Sequence, residues 1–171
     1  QGRLEEAARA FNESAGIFAD IGEFGPRRWG LAGGVLAAAQ TGDPTAALDA
    51  LDASPPVAMR VMHPDVERAR AWCEAMTGHT DAAAARLTAA AEFALARGSR
   101  GLALAAYHDL ARVGHVEGAR AAAGPIGDAA IGTEGELCRL RLAHVQAMAA
   151  EDPEALAEVA AGWESIGATL F

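Results

Sequence analysis

Two histidines, a tryptophan and two arginines are the side chains of this chain best suited to recognition chemistry, and one spacing ties them together. Trp72, His108 and His144 stand 36 residues apart, with Leu36 one interval earlier. Four residues before the later positions lie Arg68, Leu104 and Leu140, and four residues after them lie Met76, Arg112 and Met148. Residues four apart share a face if the segments are helical. A guanidinium matches a carboxylate in a planar fork, and indole and imidazole present flat surfaces with a polar edge. Such a set suits an acidic or amphipathic ligand. The plainer alternative is that each histidine is half-buried, with one ring nitrogen satisfied by a neighbouring helix.

Metal and catalytic chemistry find less support. His108 and His115 are seven apart on either side of an expected helix end, too distant for the roughly 2 Å bonds of one zinc ion. His79 and His115 share a turn position in successive intervals, where histidines are ordinarily just solvated. In His63-Pro64-Asp65, proline suits the first turn of a helix and aspartate suits the positive end of its dipole. Glu5/Glu6 and Glu151/Asp152 are adjacent pairs, which point about 100° apart on a helix and so cannot converge. The two cysteines, Cys73 and Cys138, fall at different places in their intervals, which argues against a disulfide or a metal pair. Ser14, Ser54, Ser99 and Ser165 sit in no nucleophile-elbow pattern. No catalytic residue, cofactor site or metal site is expected, and the chain does not read as an enzyme.

The elements that must position these residues are marked by a recurring turn. Gly42, Gly78, Gly114 and Ala150 repeat every 36 residues, and five positions after each comes an alanine: Ala47, Ala83, Ala119 and Ala155. An earlier copy, Gly2 with Ala7, lies 40 residues before the first. A unit of this length whose halves both show helical periodicity is a helix–turn–helix repeat, and such repeats stack. Residues 3–20 set Leu4, Ala7, Ala8, Phe11, Ala15 and Phe18 on one face, an amphipathic pattern. GEFGPRR breaks it, and the next helix is expected from Arg27 to Thr41. Thr41-Gly42-Asp43-Pro44 then ends one helix and starts another. Further helices are expected at 64–77, 80–96, 99–113, 116–130, 134–149 and 153–167, nine in all, with a kink or break at Gly124-Pro125. The column Ala39, Ala75, Ala111, Ala147 reads as the closest helix–helix packing site, where a larger residue would overpack by about 1–3 kcal/mol.

Composition agrees. The 171 residues suit one domain spanning 1–171, and 51% hydrophobic with only 5% aromatic residues points to an alanine- and leucine-built all-α core. The formal net charge is −9 and all 14 basic residues are arginine. A surface this acidic repels a phosphate backbone, which argues against nucleic-acid binding by this segment. Residues 151–171 carry Glu151, Asp152, Glu154, Glu158 and Glu164 with no basic residue, a local negative end. No stretch reaches the roughly 18 apolar residues of a membrane span, and QGRLEEAARAF has no signal-peptide organisation. Cytoplasmic residence is the expectation.

GRLEEAARAF, TGDPTAALDAL and TGHTDAAAARL resemble the second half of a tetratricopeptide repeat, although the family's tryptophan, glycine and tyrosine are absent from the first helices of most units. The resemblance implies a right-handed superhelix of antiparallel helix pairs whose first helices line a concave groove. Trp72, His108 and His144 would then form its floor, with Arg68 and Arg112 at its sides and Met76 and Met148 beside them. AGIFADIGEFGPRRWGLAGGVLAAAQTGD, YHDLARVGHVEGA and LAHVQAMAAEDPEALAEVAAGWESIGATLF are similar to the helical-repeat region of large ATP-binding LuxR-type regulators of actinobacteria, relatives of the maltose regulator. That similarity implies a signal-receiving segment. With neither GxxxxGK[ST] nor a basic recognition helix in this chain, ATP and DNA binding would belong to other parts of a longer protein. A stand-alone scaffold that binds a peptide of another protein is the alternative. The unmatched opening helix and the terminal IGATLF read as repeats cut in mid-array, so the chain reads as a fragment. Open apolar ends, Phe171 among them, predict self-association as a homodimer.

Overall fold

Alanine-rich stretches with apolar residues three and four apart, punctuated by glycine, dictate helices, and helices are what form. A computed structural model of the chain describes residues 3–56 and 60–168. Within them lie α1 (Leu4–Asp20), α2 (Phe24–Thr41), α3 (Thr45–Ala53), a single 3₁₀ turn (Arg60–Met62), α4 (His63–Met76), α5 (Thr80–Leu95), α6 (Arg100–Ala130), α7 (Glu136–Ala150) and α8 (Pro153–Ser165). The described residues contain no strand. Gly2 and Phe171, and with them the expected opening marker and the apolar C-terminus, lie outside the described residues.

Among the described residues eight α-helices form rather than nine, because the expected pair at 99–113 and 116–130 runs together as α6. Its non-helical angles fall at His115 (φ 50°, ψ −137°), so the kink lies at the recurring turn and not at Gly124-Pro125. Proline at 125 costs the Ala121 carbonyl its helical partner. Ala121 is exposed, where water takes that role, and the helix continues. The start of α2 also differs: it begins at Phe24, leaving Pro26 in the first turn, where a missing amide donor costs nothing.

The four markers turn the chain in two ways. Gly42 (φ 121°) and Gly78 (φ 84°) take the left-handed conformation themselves. In the later units the positive φ moves one residue on, to His115 and to Glu151 (φ 53°). Glu151 adopts the left-handed conformation despite carrying a Cβ, at a cost of roughly 1–2 kcal/mol. Beyond the His115 bend the backbone approaches itself closely: a Cβ on Gly118 would lie 2.3 Å from the Leu110 carbonyl oxygen. Only glycine fits there.

Three helix starts carry local signals, and those at Asp43-Pro44 and Pro64-Asp65 are the expected ones. Asp43 Oδ1 accepts from the Thr45 amide at 3.0 Å. Asp152 Oδ1 accepts from the amides of Glu154 and Ala155, both at 3.0 Å. Pro64 opens α4, with Asp65 in its first turn.

Each helix packs chiefly on its chain neighbours: α1 on α2, α2 on α3 and α4, α4 on α5, α5 on α6, α6 on α7 and α7 on α8. Contacts between α4 and α6 link alternate elements as well. The core comes in three clusters along the chain. Val35, Leu51, Val66 and Cys73 pack α2 to α4, Leu87, Leu104, Ile126 and Val145 pack α5 to α7, and Leu140, Val159 and Trp163 join α7 to α8. Trp72 touches the first two clusters. Of the alanine column, Ala39, Ala111 and Ala147 are buried and Ala75 is half-buried.

Candidate functional site

The first helices of successive units stand so that one face of each borders a cleft of about 560 Å³. Arg3, Leu4, Ala7, Ala10 and Phe11, at and after the start of α1, form one wall, and Leu36, Ala37 and Gln40 of α2 continue it. Arg68 comes from α4, His108, Asp109 and Arg112 from α6, and Arg141 from α7. The volume lies within the range of small-ligand pockets, about 300–1,000 Å³. Gly33 lets Phe11 lie flat on α2, since a Cβ there would meet the ring at 2.5 Å.

The polar end is an ionic cluster. Arg68 Nε donates to Asp109 Oδ2 at 2.7 Å and its Nη1 to Asp65 Oδ1 at 3.0 Å. Asp65 Oδ2 accepts from Trp29 Nε1 at 3.1 Å, which fixes the carboxylate from its far side. Arg112 lies 3.9 Å from Asp109 Oδ1, donates to Gln40 Oε1 at 3.1 Å and stacks its guanidinium 4.7 Å from the Trp72 ring centre. Arg141 makes no hydrogen bond or ion pair among the described residues, and its buried Nε has no hydrogen-bond partner. Burial tends to lower the Arg68 value, but Asp109 and Asp65 outweigh it and hold the guanidinium above its ordinary range. Burial, and then the like charge of Arg68, pulls Arg141 below its ordinary value. Burial also lowers Arg112, partly offset by Asp109. An arginine remains charged through such shifts. Among the described residues Asp65 and Asp109 thus pair with Arg68 and Arg112, while Arg141 has no carboxylate beside it.

The histidines form the wall behind this cluster. His108 is 1% exposed, and its Nε2 lies 2.9 Å from His144 Nδ1, so one ring donates to the other. The buried Trp163 of α8 closes over both rings, at 5.7 Å from His108 and 6.5 Å from His144 between centroids. Burial, then His144 and the arginines, drives the His108 value well below 6.5, and burial followed by Arg112 lowers His144. At neutral pH both rings are neutral.

Of the seven side chains singled out by spacing, the structure brings Arg68, His108 and Arg112 to the cleft. His144 is joined to it through His108. Trp72 and the exposed Met76 border a smaller neighbouring pocket with Leu4, Gln40 and Arg112. Met148 packs against the large core cluster instead. Asp109, Arg141 and Gln40 join the site without having been singled out. Two of them break their columns: Asp109 follows Ala37 and Cys73 and precedes Val145, and Arg141 follows Gly33, Ala69 and Ala105. A charge in an otherwise small or apolar column is the signal that marks them.

Cys73 is buried and Cys138 half-buried, both as free thiols. Among the described residues no group of three or more His, Cys, Asp or Glu is placed to hold a metal ion, and no helix is long and apolar enough to cross a membrane. No family model, no curated protein and no solved structure matches this chain.

Proposed function

We propose that this chain is a non-catalytic recognition module: a tetratricopeptide-like right-handed superhelix that takes an effector or partner segment into the cleft between α1, α2, α4, α6 and α7. The observation that carries it is the cleft itself, apolar along α1 and α2 and cationic where Arg68, Arg112 and Arg141 converge. Packing of α2 on α4, α4 on α6 and α6 on α7 supports the side-by-side arrangement of first helices that a repeat superhelix requires. A non-catalytic role draws on the state of His108 and His144, neutral, bonded to each other and beside Trp163, which engages these two rings with their neighbours.

The similarity of the long phrases to LuxR-type ATP-binding regulators suggests where such a module works. Ligand in the cleft would favour one packing of the helices over another, and that population shift would alter ATPase or DNA-binding parts elsewhere in the protein. Reading the flanking coding sequence tests this assignment. A P-loop upstream and a helix-turn-helix downstream are expected, and absence of both would overturn it. A stand-alone scaffold remains the second reading, favoured by the length of the cleft across five elements. Small-molecule thermal-shift screening and pull-down with the isolated chain separate the two, since a sensor responds to the first and a scaffold to the second.

A further inference from the structure

The geometry points to an amphipathic monocarboxylate as the ligand of this cleft, its headgroup held by Arg141 with Arg68 and Arg112 flanking it and its apolar body lying along Leu4, Phe11 and Leu36. The inference rests on the cleft being a binding site and adds the chemistry of what binds.

Charge decides the headgroup. Among the described side chains lining the cleft, Arg3 is answered at the rim by Glu6, 3.2 Å away. Arg68 is answered by Asp65 and Asp109. Asp109, 4% exposed, also faces Arg112. Arg141 is left over, with a buried Nε–H that has no acceptor. A cation whose donors lack acceptors is costly to keep in a cleft; its terminal nitrogens, bonded to none of the described residues, can take an entering carboxylate in a fork-to-fork pair. One guanidinium pairs with one carboxylate in such a fork, which suits a single acidic head. This happens in a chain whose net charge is −9, so the positive spot is local and not a general property of the surface. Shape decides the remainder. The cleft is also lined by Leu36, Ala37, Ala7, Ala10 and Phe11, carbon surface suited to an alkyl or aryl body.

Calorimetric titration with octanoate, 1-octanol and octylammonium separates the terms, since the three share a body and differ in head charge. Octanoate is expected to bind at least about tenfold more tightly than 1-octanol, and octylammonium least. Arg141→Gln should abolish that preference and leave 1-octanol binding unchanged, while Arg141→Lys, which keeps the charge but not the fork, should retain part of it. Ala10→Trp, at an exposed cleft position, should block all three. Equal binding of octanoate and octanol, or tighter binding of octylammonium, overturns the carboxylate assignment while leaving the cleft a binding site. Unaltered octanoate affinity in both folded Arg141 variants overturns the role of Arg141. Unaltered affinities in Ala10→Trp, or no binding of any of the three, overturns the carboxylate inference together with its placement in the cleft. Circular dichroism establishes that each variant is folded.

Discussion

Arg86 and Arg141 are the same residue in two electrostatic situations. Arg86, on α5, reaches back to α4, where its Nε donates to both oxygens of Glu74 at 3.0 Å, its Nη2 to Glu74 at 2.6 Å and its Nη1 to Glu67 at 2.5 Å. Hydrogen bonds to Glu74 lead the causes that raise its value above the ordinary one. Arg141, on α7, has a buried Nε with no acceptor, and burial lowers its value. A guanidinium with all three nitrogens bonded to carboxylates ties two helices together. One that is left short of acceptors in a cleft weakens the free protein and gains from a ligand. Structural and recognition arginines are thus told apart by their partners, not by their depth.

Several substitutions would break or sharpen this contrast. The largest effect is expected at Asp109, the buried carboxylate shared by Arg68 and Arg112. Asp109→Asn should cost about 3–5 kcal/mol in urea denaturation, because it leaves the clustered arginines facing one another. Arg86→Gln should cost about 2 kcal/mol by the same measurement, since Glu67 and Glu74 lose their common cation. Next comes a pH effect. His108 has a folded value below its unfolded 6.5, so below 6.5 the unfolded chain takes up the proton first and stability falls as pH drops towards the folded value. The expected slope is about 1.4 kcal/mol per pH unit from this residue. The groups that set it are His144, Arg112, Arg141 and Arg68, and His108→Gln should flatten the profile over the same interval. The smallest effect is expected at Arg141. Arg141→Gln should change the stability of the ligand-free protein by less than about 1 kcal/mol, with a gain as the expected sign, opposite to Arg86→Gln.

Much of this contrast was not legible in the chain. Helix positions were, because amphipathic spacing, Gly42 and Gly78, and the helix-start residues Asp43 and Pro64 all act locally. The alanine column was legible for the same reason: recurrence of one small residue at Ala39, Ala111 and Ala147 reports close contact. His115 was harder. Gly114 carries the expected marker, yet the strain falls on its neighbour, and Pro125, the residue that looked disruptive, sits where its freed carbonyl partner is exposed. The ionic cluster was half-legible. Reading by recurrence found Arg68, His108 and Arg112 but passed over Asp109 and Arg141, whose columns hold small or apolar residues in every other unit. A tertiary charge balance has no periodicity, so only the packed helices reveal that Arg141 has no partner among the described residues.

The most direct measurement is the Nε–Hε correlation spectrum of the arginine side chains, recorded by NMR while octanoate is added. Arg141 is expected to shift saturably while Arg86, fully paired on α4 and α5, stays still. A spectrum in which Arg141 does not respond, or in which Arg86 and Arg141 shift alike, would contradict the claim that Arg141 awaits an anion in the cleft.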